Sequence, residues 1–186
     1  MLHRTRADLE IVRPGDIEPE PWANGLGVTR VLAARPAWRI SLAEIEGRMP
    51  FSPFLGSDRV LIPLSSEGVT LEIDGLQRRV LPRTGVAFRG EDHVSADTGG
   101  HRVTVVNLMS RRSSGLLRWE IRRGADQIEA GMDAVVVLGG EVRAAAERLP
   151  PGAVVLSAGT SRVSVGRDGI VALLWVEPRR GLTSRF

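Results

Sequence analysis

Short apolar or alternating runs, each stopped by glycine, proline or an Asp-Gly pair, leave this chain no stretch in which a long helix could hold its period. The runs predict strands at Val28–Ala34, Trp38–Ile45, Arg59–Leu64, Val69–Ile73, Gln77–Leu81, Val86–Phe88, His93–Asp97, Arg102–Leu108 and Leu116–Arg122. A second set follows at Ala134–Leu138, Glu141–Ala145, Ala153–Leu156, Arg162–Val165 and Ile170–Glu177. Asp74-Gly75, Gly99-Gly100, Gly139-Gly140 and Asp168-Gly169 read as hairpin turns, because these pairs tolerate the positive φ that tight hairpins need. Pro14–Pro21 reads as extended loop, and one helical turn fits Ala144–Arg148. The fold class expected is all-β and antiparallel.

Composition removes several functions. The chain lacks cysteine, which excludes disulfides and thiolate ligands. It also lacks lysine, which excludes a Walker phosphate loop and Schiff-base chemistry. Its basic residues are all arginine, scattered among acids, and the formal net charge is only +3. A nucleic-acid binder needs a dense basic stripe with aromatic stacking residues, so no nucleic-acid partner is expected. No apolar run approaches the roughly 18 residues that span a bilayer, and Met1–Arg6 has no apolar signal core. The expectation is a cytoplasmic protein without a membrane partner.

An internal echo suggests duplication. Leu81-Pro82-Arg83-Thr84-Gly85-Val86-Ala87-Phe88 returns about 68 residues later as Leu149-Pro150-Pro151-Gly152-Ala153-Val154-Val155-Leu156. Each copy follows an expected hairpin, at Asp74-Gly75 and at Gly139-Gly140. Proline, glycine and then a strand resembles the second motif of cupins, where metal-binding members carry a histidine three residues after the glycine. Those positions here are Phe88 and Val155, which cannot ligate a metal. The resemblance implies a double cupin (bicupin) barrel, with an N-terminal half over residues 1–125 that holds the pocket and a C-terminal half over 126–186.

Catalytic constellations are sparse. If Gly99-Gly100 is a hairpin turn, His101 faces Thr98 and His93 faces Val106. The two rings then lie ~15 Å or more apart and cannot share a metal. There is no Gly-x-Ser-x-Gly elbow, and Gly25-Leu26-Gly27 is not followed by a helix.

The N-terminal half holds the informative residues. Trp22, Asn24 and Thr29 place an aromatic wall, an amide and a hydroxyl around glycine-rich backbone. Trp38–Ala43 alternates, so Arg39, Ser41 and Ala43 share one face. Ser52 and Arg59 flank the Phe51–Asp58 segment, and Asn107 ends an apolar strand face where its amide needs a partner. Singly each has a structural explanation: Arg39 could pair with Glu44, and Arg59 with Asp58 or Glu67. Together, many donors and few acids predict a pocket for a carboxylate or other small anion. Arg59, opening a strand, is the expected anchor.

These segments resemble the HutD/Ves family. Its members carry Pro-Trp-Lys-Asn-Gly-Gly-Gly-x-Thr-x-Glu, Trp-Arg-x-Ser-x-Ala, Phe-Ser-x-Phe-Pro-Gly-x-Asp-Arg and Asn-Leu-Met. The matching stretches here are Pro21–Thr29, Trp38–Ala43, Phe51–Arg59 and Asn107–Met109. Ala23, Leu26, Val31 and Leu55 stand where the family has lysine, glycine, glutamate and proline. The resemblance implies a metal-free bicupin without cofactor that binds a histidine-pathway acid, such as formylglutamate or urocanate, and limits flux; it leaves a homodimer open. The competing reading is a cupin-type isomerase or hydrolase in the same pocket, for which Glu44 and His93 are the only titrating groups nearby.

Overall fold

The computed structural model describes residues 9–22, 25–129, 131–156 and 162–177. The first strands are β1 (Glu10–Val12), β2 (Glu20–Pro21), β3 (Gly27–Ala34), β4 (Trp38–Pro50), β5 (Ser57–Pro63), β6 (Val69–Ile73), β7 (Leu76–Val80), β8 (Val86–Arg89) and β9 (Val94–Arg111). After them come β10 (Leu116–Arg123), β11 (Asp126–Ile128), β12 (Ala134–Gly139), β13 (Val142–Ala144), β14 (Glu147–Arg148), β15 (Val154–Leu156), β16 (Val163–Val165) and β17 (Ile170–Glu177). Among the described residues the one helical element is a 3-10 turn at Pro14–Asp16, and no helix is long and apolar enough to cross a membrane.

The largest sheet runs β2-β3-β4-β9-β5-β8, with the β6–β7 hairpin attached through β6 to the start of β9. A second sheet runs β1-β15-β12-β17-β10, and a third β11-β16-β13-β14. Because strand side chains alternate, β4 faces two ways. Trp38, Ile40 and Leu42 join Ile62, Val106 and Leu108 in a core shared with Val136, Val154 and Leu174 of the second sheet. The opposite face, with Ala43, Ile45, Leu61 and Val105, lines the inside of the N-terminal barrel. A third core fills the space between the second and third sheets around Val135, Val137, Val155, Val165 and Leu173. Strands covered on both faces read as unbroken apolar runs, which is why Ala134–Gly139 shows no alternation. Truncating one fully buried leucine, such as Leu108 or Leu174, to alanine removes about 2–5 kcal/mol.

The duplication is visible in the strand order. The first barrel orders its principal strands β4-β9-β5-β8, and the second β10-β17-β12-β15. Both follow the same sequence of first, fourth, second, third. β1 and β10 both precede residue 125 in the chain, and both pair within the second sheet.

Several expected turns are corrected. Asp74-Gly75 closes the β6–β7 hairpin, but its counterpart is Ala145-Ala146 between β13 and β14, not Gly139-Gly140. Gly139-Gly140 carries the chain from the second sheet to the third, and Asp168-Gly169 returns it. Ala144–Arg148 is therefore a tight hairpin, not a helical turn. Pro14–Pro21, expected as loop, contains the 3-10 turn and β2. Gly99-Gly100 is no hairpin either. β4 pairs with Arg102–Ser110 and again with Ser95–Asp97, so Thr98–His101 form a bulge inside one continuous strand. Gly99 and Gly100 supply the positive φ (66° and 84°) that the bulge requires. His93 thus lies just before β9 and His101 within it, and the two do not face each other across a hairpin.

Candidate functional site

Strand register builds the site as three rows of side chains on the concave face of the large sheet. Arg39 on β4 and Arg59 on β5 both stand opposite Met109 on β9. Ser41 and Leu61 flank Asn107 in the next row. In the third row Glu20 faces Thr29, and Thr29 faces Ala43. Directly paired residues point to one side of a sheet, so each row projects into the barrel. Strand spacing puts the Arg39 and Arg59 backbones about 10 Å apart across β9.

The rows enclose a cavity of about 240 Å³. Of the residues expected to form it, Trp22, Thr29, Arg39, Ser41, Ser52, Arg59 and Asn107 line it. Asn24 and Ala23 lie outside the described residues. Leu26 and Leu55 are exposed and do not line the cavity, and Val31 stands beside Ser41 in register.

Arg59 is only 7% exposed. Its guanidinium carbon sits 5.4, 5.1 and 4.9 Å from the ring centroids of Phe51, Phe54 and Phe88. One Nη donates to the Ser52 carbonyl at 3.2 Å. Burial, with the charge of Arg39 adding to it, pushes its pKa down to about 10. The Nε atoms of both Arg59 and Arg39 are buried without a hydrogen-bond partner, as is Oδ1 of Asn107.

Neither guanidinium has a carboxylate partner among the described residues, and parity explains why. Glu44 lies five positions from Arg39, hence on the other face of β4, where it pairs with Arg30 at 2.5 Å. Asp58 adjoins Arg59 and so also points away, to Arg112 at 3.1 Å. Glu67 accepts from Ser66 at 2.6 Å. His93 is exposed just before β9, its Nδ1 3.7 Å from Asp74. Glu44 and His93, the two titrating groups an enzyme reading would use, are thus both outside the cavity.

Trp22 donates its indole N–H to Thr29 Oγ1 at 2.7 Å and meets Phe51 edge-on, with centroids 6.4 Å apart. The Phe51–Gly56 segment covers Arg59 and is tied down along its length. Phe54 N donates to Gly90 O at 2.7 Å, Gly56 N to Glu91 Oε1 at 2.7 Å, and Arg112 N to Gly56 O at 2.9 Å. Arg112 also donates to the Glu91 carboxylate. That bond, seconded by the Gly56 N–H, pushes the Glu91 pKa down to about 2.

Phe88 and Val155, at the cupin metal positions, are buried in apolar cores. No group of three or more His, Asp or Glu close enough to hold a metal occurs among the described residues. Glu20, Phe51, Phe54 and Met109 also line the cavity and were not singled out from the sequence. Glu20 carried a usable signal: it lies two residues before Trp22 and shares its side of an extended chain.

A model of the HutD family matches residues 15–172. An uncharacterized 21.2 kDa protein in the hutC 3' region of Pseudomonas putida is 32% identical over 123 residues, covering 61% of this chain and 65% of that protein. Protein Ves of Citrobacter koseri is 31% identical over 99 residues, covering 49% and 52%. The chain therefore spans less than two thirds of the length of each. The solved structure of HutD from Pseudomonas fluorescens SBW25 superposes with a TM-score of 0.78 at 26% identity, covering 91% of this chain and 100% of that one. A cupin 2 conserved barrel domain protein from Leptotrichia buccalis shares the fold at 13% identity, with a TM-score of 0.59 over 90% and 96% of the two chains.

Proposed function

This chain belongs to the HutD family, and we propose that its N-terminal barrel binds a small carboxylate metabolite through Arg59 and Arg39. The carrying observation is a buried Arg59 beside a half-buried Arg39, neither with a carboxylate partner among the described residues and each with a buried, unpaired Nε. An uncompensated buried charge costs several kcal/mol, so such an arrangement makes sense where a ligand brings the counter-charge. A guanidinium binds a carboxylate through parallel N–H donors, which no hydroxyl or amide can match. Ser41, Ser52, Thr29, Asn24 and Asn107 are assigned as hydrogen-bonding neighbours, and Trp22 as an apolar wall. A cavity of about 240 Å³ suits a metabolite smaller than the ligands of pockets of roughly 300–1,000 Å³.

The Pseudomonas putida relative lies in the hutC 3' region, which supports a place for this chain in histidine utilisation. In that setting it senses or sequesters an acid of the pathway, such as formylglutamate or urocanate, without a metal, and so limits flux. Elemental analysis checks the last point: stoichiometric zinc, iron, manganese or nickel in protein purified without chelator contradicts it.

Calorimetric titration of formylglutamate and of urocanate into the wild type and Arg59→Ala tests the assignment. Loss of a charged hydrogen bond worth about 1.5–3 kcal/mol lowers affinity roughly ten- to a hundred-fold. Unchanged affinity in a variant with wild-type circular dichroism sinks Arg59 as the anchor.

A further inference from the structure

We infer that Glu20 makes the cavity selective for zwitterions, namely carboxylates that carry a protonated nitrogen at their far end. This rests on the carboxylate reading of the same cavity.

The charges in the cavity are separated by strand register. Arg39 and Arg59 occupy one row at the covered end, under the Phe51–Gly56 segment. Glu20 stands in the row of Thr29 and Ala43. Ala43 is four residues beyond Arg39 on β4, so the two rows are about 13 Å apart along the strands. The long arginine side chains shorten that span to the length of a small chain molecule. Glu20 sits at the open side, and its carboxylate has no ion pair or hydrogen bond among the described residues. The two nearest arginines in sequence are engaged elsewhere, Arg13 by Glu147 and Arg30 by Glu44 on the opposite face of the sheet.

A ligand that is anionic at both ends, formylglutamate included, would meet Glu20 as a like charge, so of the two acids named above the cavity favours urocanate. A neutral tail would gain nothing from it. An ammonium, amidinium or imidazolium at the far end would satisfy it while the carboxylate satisfies the arginines. The Asn107 Oδ1 acceptor, buried and unpaired between the rows, adds a further place for an N–H of such a ligand. Charge complementarity of this kind sets specificity more than affinity, because the mouth is solvated.

The test uses matched probes that differ only in the terminal nitrogen: butyrate against 4-aminobutyrate, and pentanoate against 5-aminopentanoate. Titration is followed on the Trp22 indole N–H resonance, assigned through Trp22→Phe, in the wild type, Glu20→Gln and Arg59→Ala. The wild type is expected to bind the amino acids about threefold or more tighter than the plain acids, the size of a solvated ion pair. Glu20→Gln is expected to erase that ratio while leaving butyrate and pentanoate within about twofold of wild type, and Arg59→Ala to weaken every probe. Equal binding of both classes by the wild type, or a ratio that survives Glu20→Gln, overturns the role of Glu20 and leaves the carboxylate reading standing. Failure of all four probes to bind overturns both.

Discussion

The guanidinium carbon of Arg59 lies 4.9 Å from the centroid of the Phe88 ring, a residue that closes the bottom of the Arg59 cage. Phe88 stands on β8 directly opposite Arg59 on β5, so the strand ladder itself fixes the contact. Where a cupin metal ligand would project, this barrel has an aromatic face under a fixed organic cation.

Phe88→Leu is expected to lower stability by about 1–2 kcal/mol through lost packing. It is also expected to weaken carboxylate binding severalfold, since a cation–π contact of about 0.5–2 kcal/mol that aims the guanidinium is gone. Denaturant unfolding and calorimetry read the two effects separately. Lost stability with unchanged affinity would reduce Phe88 to core packing.

Gly90 lies under the Phe51–Gly56 segment, and a Cβ there would come within 1.9 Å of the Phe54 carbonyl oxygen. Backbone has to move to admit it. Gly90→Ala is therefore expected to cost about 1–3 kcal/mol, and to loosen the cover over Arg59 so that carboxylate binding weakens as well. A folded Gly90→Ala protein with wild-type stability and affinity would contradict this packing.

Glu91 gives the same segment a pH dependence. Its carboxylate is held ionised, down to about 2, first by the Arg112 side chain and then by the Gly56 N–H. A depressed carboxyl pKa stabilises the fold above the unfolded value, about 4.3, and that contribution fades as pH falls toward about 2. Acid unfolding of the wild type should therefore steepen between about pH 4 and 2, and Glu91→Gln should lack that component. Superimposable acid profiles would show the latch to contribute nothing.

How much of this was legible in the sequence depended on period. Trp38–Ala43 alternates cleanly, and from that alone Arg39 and Ser41 could be placed together, away from Ile40 and Leu42. The same parity, applied to Glu44 and Asp58, would have shown that neither can reach the arginine beside it on its strand; proximity in sequence suggested the reverse. Gly99-Gly100 could not be resolved locally. Two glycines permit positive φ in a turn or in a bulge, and the choice was made by β4, which runs on to Pro50 and pairs on both sides of the bulge. β2 is two residues long, too short to show a period of its own, so only the two-residue spacing from Trp22 points Glu20 to the cavity.

The last expectation concerns the cost of keeping Arg59 where it is. Burial disfavours its charged form, which is why its pKa is pushed down to about 10. A base whose folded pKa is depressed destabilises the fold throughout the range in which it stays charged. The cost is thus present in full at neutral pH and relaxes only as pH rises past about 10. Methionine has a similar reach, fits among Phe51, Phe54 and Phe88, and has no charge to desolvate. Arg59→Met should therefore be more stable than the ligand-free wild type at pH 7, by about 1–3 kcal/mol, since an apolar replacement of a buried charge is often stabilising. For a chain of this size that corresponds to roughly 2–4 °C per kcal/mol in Tm. The gap should close with ligand. A carboxylate at a hundred times its wild-type Kd stabilises the wild type by about 2.7 kcal/mol, and Arg59→Met, binding roughly ten- to a hundred-fold more weakly, by only about 0.4–1.4 kcal/mol. Thermal unfolding of both proteins, with and without the carboxylate, measures all four states. A less stable Arg59→Met without ligand would mean that the guanidinium holds the barrel together, and that its unpaired charge is structural and not kept for a ligand.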